Sequence, residues 1–195
     1  MLAARNADLD LISSVGSGRH RFDLDSLWPG YLKIADVYID GSYWATVVAL
    51  HSPLLLPDGT KVGHGYDSTK LLLRRLEPLF ADGDRRLIVA GDFNIHPNSL
   101  PRSFRRYGLV ELSAHTASER AALDKCTGCD DRSRCGHIWT HKNGKSPNAV
   151  RQQIDFILVH RSMVRSLVGY EGGPDRFPDI WTLSDHAPLV ATFER

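Results

Sequence analysis

The alternation of apolar and polar positions divides the chain into recognisable elements. The stretch 8–13, Asp-Leu-Asp-Leu-Ile-Ser, predicts a short strand. Lys33-Ile-Ala-Asp-Val-Tyr-Ile and Tyr43-Trp-Ala-Thr-Val-Val-Ala-Leu flank Asp40-Gly41, so 33–50 predicts a hairpin closed by a two-residue turn. The second arm is almost continuously apolar, the mark of a strand buried on both faces. The segment 52–66, carrying Pro53, Pro57, Asp58-Gly59, Gly63 and Gly65, predicts a loop. Leu72, Leu73, Leu76, Leu79 and Phe80 then form a helical stripe over 68–80, with Lys70, Arg74 and Glu77 outward and Pro78 kinking the last turn. Residues 86–90 predict a buried strand that stops at Gly91, and 98–107 a short helix that stops at Gly108. The last strands are expected at 153–160 and 187–193. Hairpins mixed with crossovers, and more strands than helices, give an α+β class or a mixed sandwich.

Length and composition narrow this only slightly. The 195 residues suit a single domain spanning 1–195, and 42% hydrophobic with 24% charged residues excludes wholesale disorder. No apolar run approaches the roughly 18–20 residues that cross a bilayer, and the first ten residues carry Arg5, Asp8 and Asp10 in place of a signal-peptide core. The expectation is a cytoplasmic monomer with no transmembrane segment. A formal net charge of +1 argues against broad nucleic-acid affinity, so any phosphate-binding surface is local.

Candidate chemistry gathers at strand boundaries. Asp92 and Asn94 lie in Gly91-Asp92-Phe93-Asn94, Asp155 inside the apolar Ile154-Asp155-Phe156-Ile157, and Asp185 and His186 just before the last strand. An acid within a strand is costly unless it is paired or binds something. Hard oxygen donors of this kind suit Mg²⁺ or Mn²⁺, and a neighbouring imidazole can move protons near neutral pH. Taken singly, each of these residues also reads as an ordinary turn former or strand cap.

Gly-Asp-Phe-Asn at 91–94, Gln-Ile-Asp-Phe-Ile-Leu at 153–158 and Ser-Asp-His-Ala-Pro-Leu at 184–189 together resemble, in order and spacing, three motifs of the endonuclease/exonuclease/phosphatase superfamily. That group includes exonuclease III, pancreatic-type deoxyribonuclease, sphingomyelinases and inositol-polyphosphate phosphatases. Val48-Ala-Leu-His51-Ser52 resembles the strand-end histidine segment of the deoxyribonuclease and sphingomyelinase branches. The resemblance runs from about Ile34 to the C-terminus. It implies two stacked mixed β-sheets flanked by helices, a four-layer α/β/β/α sandwich, and a metal-dependent phosphoesterase.

It also implies roles. Asp92 orients or deprotonates the attacking water, and Asn94 positions phosphate and metal. Asp185 is a metal-associated carboxylate, His186 contacts the scissile phosphate, and Asp155 forms the site floor. His51 is the general acid, or else a structural strand-end histidine. Mg²⁺ or Mn²⁺ is expected near Asp92, Asn94 and Asp185. The resemblance further leads one to expect an early strand with an Asn and then a Gln-Glu pair. Neither precedes Ile34, and no Glu precedes Glu77, so the first strands read as missing.

Two features lie beside these motifs. Cys126, Cys129, Cys135 and His137 make a C-x2-C-x5-C-x-H pattern over 126–137, which suits a structural Zn²⁺; the alternative is free thiols in a reduced loop. Lys142, Lys145 and Arg151, with Arg161 and Arg165 beyond them, make a basic stretch that is either a phosphate-facing rim or a solvated face. Arg102, Arg105 and Arg106 read as a solvated helix face. Trp139 and Trp181 are either stacking platforms for bases or core residues. The leading expectation is a phosphodiesterase acting on nucleic acid or another phosphate ester, with a nuclease ahead of a phosphatase or phospholipase. The alternative is a zinc-stabilised, non-catalytic binding remnant; a fragment without function is a third.

Overall fold

The computed structural model of the chain describes residues 7–15, 22–23, 31–54, 59–61, 65–83, 85–100, 103–113, 137–146 and 148–194. Cys126, Cys129 and Cys135 lie outside them, so the predicted cysteine cluster is described only at His137.

The chain begins with strands β1 (Ala7–Ile12), β2 (Ser14–Val15) and β3 (Phe22–Asp23). The predicted hairpin follows as β4 (Leu32–Ile39) and β5 (Ser42–His51). Its turn works because Asp40 and Gly41 both take positive φ, 50° and 76°, the backbone twist a tight hairpin needs. The helix arrives in two pieces, α1 (Tyr66–Arg75) and α2 (Glu77–Phe80), broken at Leu76 where Pro78 opens the second piece. The predicted stripe of Leu72, Leu73, Leu76, Leu79 and Phe80 is buried.

Strand β6 (Leu87–Asp92) does not stop at Gly91 as the sequence suggests; it runs on so that Asp92 is its last residue. The predicted helix over 98–107 is instead a 3-10 turn (Pro97–Ser99) and the single-turn α3 (Ser103–Arg106). Strand β7 (Leu109–Glu111) and the two-residue strands β8 (His141–Lys142) and β9 (Arg151–Gln152) come next. Strand β10 (Asp155–His160) begins later than predicted, so Asp155 sits at its mouth and not in its middle. The cause is Thr140, whose Oγ1 accepts the backbone N–H groups of Ile154 and Asp155 (3.1 and 3.0 Å) and takes them out of the ladder. A 3-10 segment (Arg161–Ser166) leads to β11 (Leu167–Gly172), α4 (Gly173–Arg176), α5 (Ile180–Leu183) and β12 (Leu189–Phe193).

Six strands form the main sheet in the order β1-β4-β5-β6-β10-β7. Only β5 and β6 are parallel, joined by the α1–α2 crossover; every other neighbouring pair is antiparallel. Alternate residues feed opposite faces. Leu87, Val89, Phe156 and Leu158 pack with the α1–α2 leucines on one face. Ile88, Val159 and Ala45 pack on the other face with Met163 and Tyr170, joined by Leu167, Leu189, Ala191 and Phe193 of the β11–β12 sheet. The central strands are therefore apolar on both faces because each face has a layer to cover. This is a stacked pair of sheets with helices against the larger one, the α+β sandwich expected. Among the described residues no helix is long and apolar enough to cross a membrane.

Candidate active site at the ends of three strands

The register of the main sheet brings three predicted residues into one row. His51 ends β5 opposite Asp92, the end of β6, and Asp92 lies opposite Asp155, the start of β10. A parallel and an antiparallel neighbour thus present their side chains at the same edge, where a polar group need not be buried in the sheet. The His51 Nε2 atom is 3.5 Å from Asp92 Oδ2, and the His51 ring leans on Tyr31 with centroids 5.3 Å apart.

Asn94 holds the turn that follows. Its φ of 51° is one of two positive values among the described non-glycine residues. Its backbone N–H donates to Asp92 Oδ1 (2.8 Å), and its Nδ2 donates to the Ser52 carbonyl (3.0 Å). The Ser52 N–H in turn donates to the Asp92 carbonyl (2.7 Å), so the ends of β5 and β6 are tied beyond the ladder. Gly65 is obligatory beside this turn, since a Cβ there would stand 2.0 Å from the Phe93 carbonyl oxygen.

The fourth element is the segment before β12. His186 forms an isolated antiparallel bridge with His141, reinforced by Lys142 N–H to Asp185 C=O (2.9 Å) and Ala187 N–H to Thr140 C=O (2.8 Å). This brings His186 Nδ1 to 3.0 Å from Asp155 Oδ2 and 3.3 Å from Oδ1. Four predicted residues, His51, Asp92, Asp155 and His186, therefore converge, with Asn94 bracing the turn beside them. Asp185 lies exposed on the His141 side, where it shares a donor cluster with His141 and His186.

The electrostatics follow from burial and from the acid pair. Burial pushes the Asp92 carboxyl upward, and the facing Asp155 pushes it further. A carboxylate of raised proton affinity is a better base than an ordinary one. The hydrogen bond to Asp155 raises His186 above the usual histidine range, favouring its cation. Burial lowers His141, and the neighbouring His186 adds to the effect.

Donor atoms of Asp92, Asp155 and His186 lie within 4.8 Å of one another, as do those of His141, Asp185 and His186. Two facing carboxylates repel unless a cation or proton lies between them, so these residues fit a divalent ion.

The predicted basic rim is divided. Lys142 is only 8% exposed, Lys145 is exposed, and the Arg151 guanidinium lies over the Trp139 ring at 5.1 Å. One face of Trp139 is thereby occupied by a cation. His137 is half-buried with its ring perpendicular to that of His96, centroids 5.6 Å apart. Sequence reasoning missed His141, Gln152 and Thr140. Thr140 and Gln152 act through contacts between 140–142 and 151–155, and His141 through its bridge to His186, so each role rests on pairing between separate segments.

Comparison with known proteins bears on the fold and the family. No curated protein matches the chain in sequence. Among solved structures it is similar to an AP endonuclease from Archaeoglobus fulgidus (18% identity, TM-score 0.56, covering 95% of this chain and 71% of that one). It is also similar to the 3' phosphatase NExo from Neisseria, bound to a product DNA hairpin (16%, 0.54, 98% and 71%). A third is the endonuclease domain of TRAS1, a telomere-specific non-LTR retrotransposon (14%, 0.51, 98% and 82%). At these identities the likeness concerns the fold. The sequence profile of the Endonuclease/Exonuclease/phosphatase family, however, matches residues 34–186, most of the chain and all the site residues from His51 to His186, and the protein belongs to that family.

Proposed function

We propose that the protein is a divalent-metal-dependent phosphodiesterase that hydrolyses phosphate esters at the row His51–Asp92–Asp155, with His186 completing the site. The observation that carries this reading is the convergence of a half-buried base, a second carboxylate and two imidazoles from four separate chain segments.

In this reading a water oxygen attacks phosphorus while Asp92 takes its proton. Asp155 holds His186 in place and favours its cation, and His186 faces the charge that develops on the phosphoryl oxygens. As the ester P–O bond breaks, His51, about half exposed at its strand end, gives a proton to the leaving oxygen. Asn94 holds Asp92 in orientation through its backbone N–H. Asp92 and Asp155 would hold a divalent ion, which would supply charge neutralisation and lower the proton affinity of bound water.

Nucleic acid is the favoured substrate class. The Archaeoglobus and Neisseria proteins are described as an AP endonuclease and a DNA-bound 3' phosphatase, and the exposed Lys145 and the Arg151–Trp139 pair suit a phosphate backbone. The two apolar clusters share one sheet, which supports a single domain over 1–195 with the cysteine-rich loop as an insertion.

The test is Mg²⁺- or Mn²⁺-dependent hydrolysis of bis(p-nitrophenyl) phosphate and of single- and double-stranded DNA. Asp92→Ala and His186→Ala are each expected to lower the rate by about 10²–10⁴-fold with the circular dichroism spectrum unchanged. Hydrolysis at the wild-type rate in either variant would sink the mechanism. Stoichiometric zinc without any chelator-sensitive hydrolysis would favour the non-catalytic binding remnant.

A further inference from the structure

The His141–Asp185–His186 cluster differs chemically from the carboxylate pair beside it. The antiparallel bridge sets the two imidazoles side by side, with ring centroids 4.8 Å apart. Each ring is anchored at the same atom. His186 Nδ1 is bound to Asp155 Oδ2 at 3.0 Å, and His141 Nδ1 accepts from the Gln152 Nε2 amide at 3.0 Å. A half-turn of that amide brings its oxygen to the ring in place of its nitrogen, and the oxygen then accepts from Nδ1–H and leaves Nε2 free for an ion. An imidazole tethered through one nitrogen to a carboxylate or an amide, with the other nitrogen left over, is the usual arrangement of a metal-bound histidine. Asp185 adds a carboxylate on an exposed segment whose carbonyl is fixed by the Lys142 N–H.

We propose that His141, Asp185 and His186 form a divalent-metal position that takes a first-row transition ion of the Zn²⁺, Co²⁺ or Mn²⁺ type in preference to Mg²⁺. Two imidazole nitrogens and one carboxylate oxygen are borderline donors, which Mg²⁺ disfavours and transition ions accept. The neighbouring Asp92–Asp155–His186 set has two hard oxygens for one nitrogen and is the better Mg²⁺ position. His186 belongs to both sets and serves one ion at a time. When it is a ligand, the ion replaces the imidazole proton as the positive charge beside Asp155. The inference deepens the phosphoesterase reading and rests on it for the role of the ion, but its ligands stand on the bridge and the two anchored rings.

The experiment is a Co²⁺ titration of the chelator-stripped full chain, followed by visible absorption, with Zn²⁺, Mn²⁺ and Mg²⁺ as competitors. Co²⁺ bound by the cysteines declares itself by thiolate charge transfer in the near ultraviolet, which keeps the two sites apart. Nitrogen- and oxygen-bound Co²⁺ is expected at one equivalent. Its affinity should fall by at least about 100-fold in His141→Ala and by about 10- to 100-fold in Gln152→Ala, and stay unchanged in Arg165→Ala. Metal-free circular dichroism and thermal unfolding check that each variant is folded. His141→Gln is the second variant if His141→Ala does not fold. Equal Co²⁺ affinity in wild type and the His141 variant, absence of that Co²⁺ species, or equal competition by Mg²⁺ would each overturn the site. If Co²⁺ binds as expected and the wild type hydrolyses no phosphate ester, the phosphoesterase reading falls and the metal position stands. Hydrolysis with His141-independent Co²⁺ binding gives the reverse.

Discussion

Thr140 shows how one side chain shapes the site without taking part in the chemistry. It is fully buried, and its Oγ1 accepts two backbone N–H groups, those of Ile154 and Asp155. Its own carbonyl accepts from Ala187 N–H, immediately after His186. The hydroxyl therefore ends the backbone ladder where Asp155 must turn toward Asp92, and the carbonyl anchors the segment that delivers His186. Thr140→Val keeps the shape and removes the acceptor. Because it strands two buried donors, it is expected to cost about 1–3 kcal/mol in urea unfolding. Hydrolysis should fall as well, because the Asp155–His186 pair loses its support. A variant as stable as wild type would show that those N–H groups have other partners.

At the scale of the element, the parallel pair β5–β6 is the tightest constraint. Gly91 sits at φ 141°, and a Cβ on it would stand 1.8 Å from the Leu50 carbonyl oxygen. The strand passes through Gly91 because nothing larger lets β6 approach β5 closely enough to carry Asp92 opposite His51. Gly91→Ala is expected to lose on the order of 3 kcal/mol or to fail to fold. Gly83→Ala, whose added Cβ meets nothing within 4 Å, should stay within about 0.5 kcal/mol of wild type. Thermal unfolding of the two variants side by side reads the difference. The neighbouring helix obeys a looser rule, since Pro78 only splits it into α1 and α2 while the leucine stripe continues across the break.

At the scale of the molecule, the His186–Asp155 contact ties the segment before β12 to the main sheet, and so couples the stability of the whole fold to pH. His186 is raised in the folded state, first by its hydrogen bond to Asp155. Its contribution is fully present below the unfolded histidine value of about 6.5 and is lost as pH rises through the higher folded value. Unfolding free energies measured with chelator present should show wild type exceeding His186→Gln most clearly below pH 6.5. The gap should narrow on going to alkaline pH. A gap that widens with rising pH would contradict the assignment. Taking the difference between the two proteins removes the opposite effect of His96, His137 and His160, all lowered by burial.

The division between what the sequence determined and what the fold decided has a physical basis. Local signals were enough for the Asp40-Gly41 hairpin, the leucine stripe and the β12 strand, because turn conformation and side-chain periodicity are properties of neighbours along the chain. The site motifs were also legible, since Asp92, Asp155 and His186 each sit at a strand boundary within a distinctive short run. Strand β11 was not legible, because Gly169 and Gly172 dilute its apolar pattern and it exists by pairing with β12. The end of β6 and the start of β10 were misjudged because Leu50 and Thr140, distant in sequence, set those boundaries. The sequence alone thus determined which residues are available for phosphate chemistry. Only the tertiary structure decided that His51, Asp92 and Asp155 share one row and that His141 stands beside His186, since register and bridging are long-range pairings that no local pattern encodes.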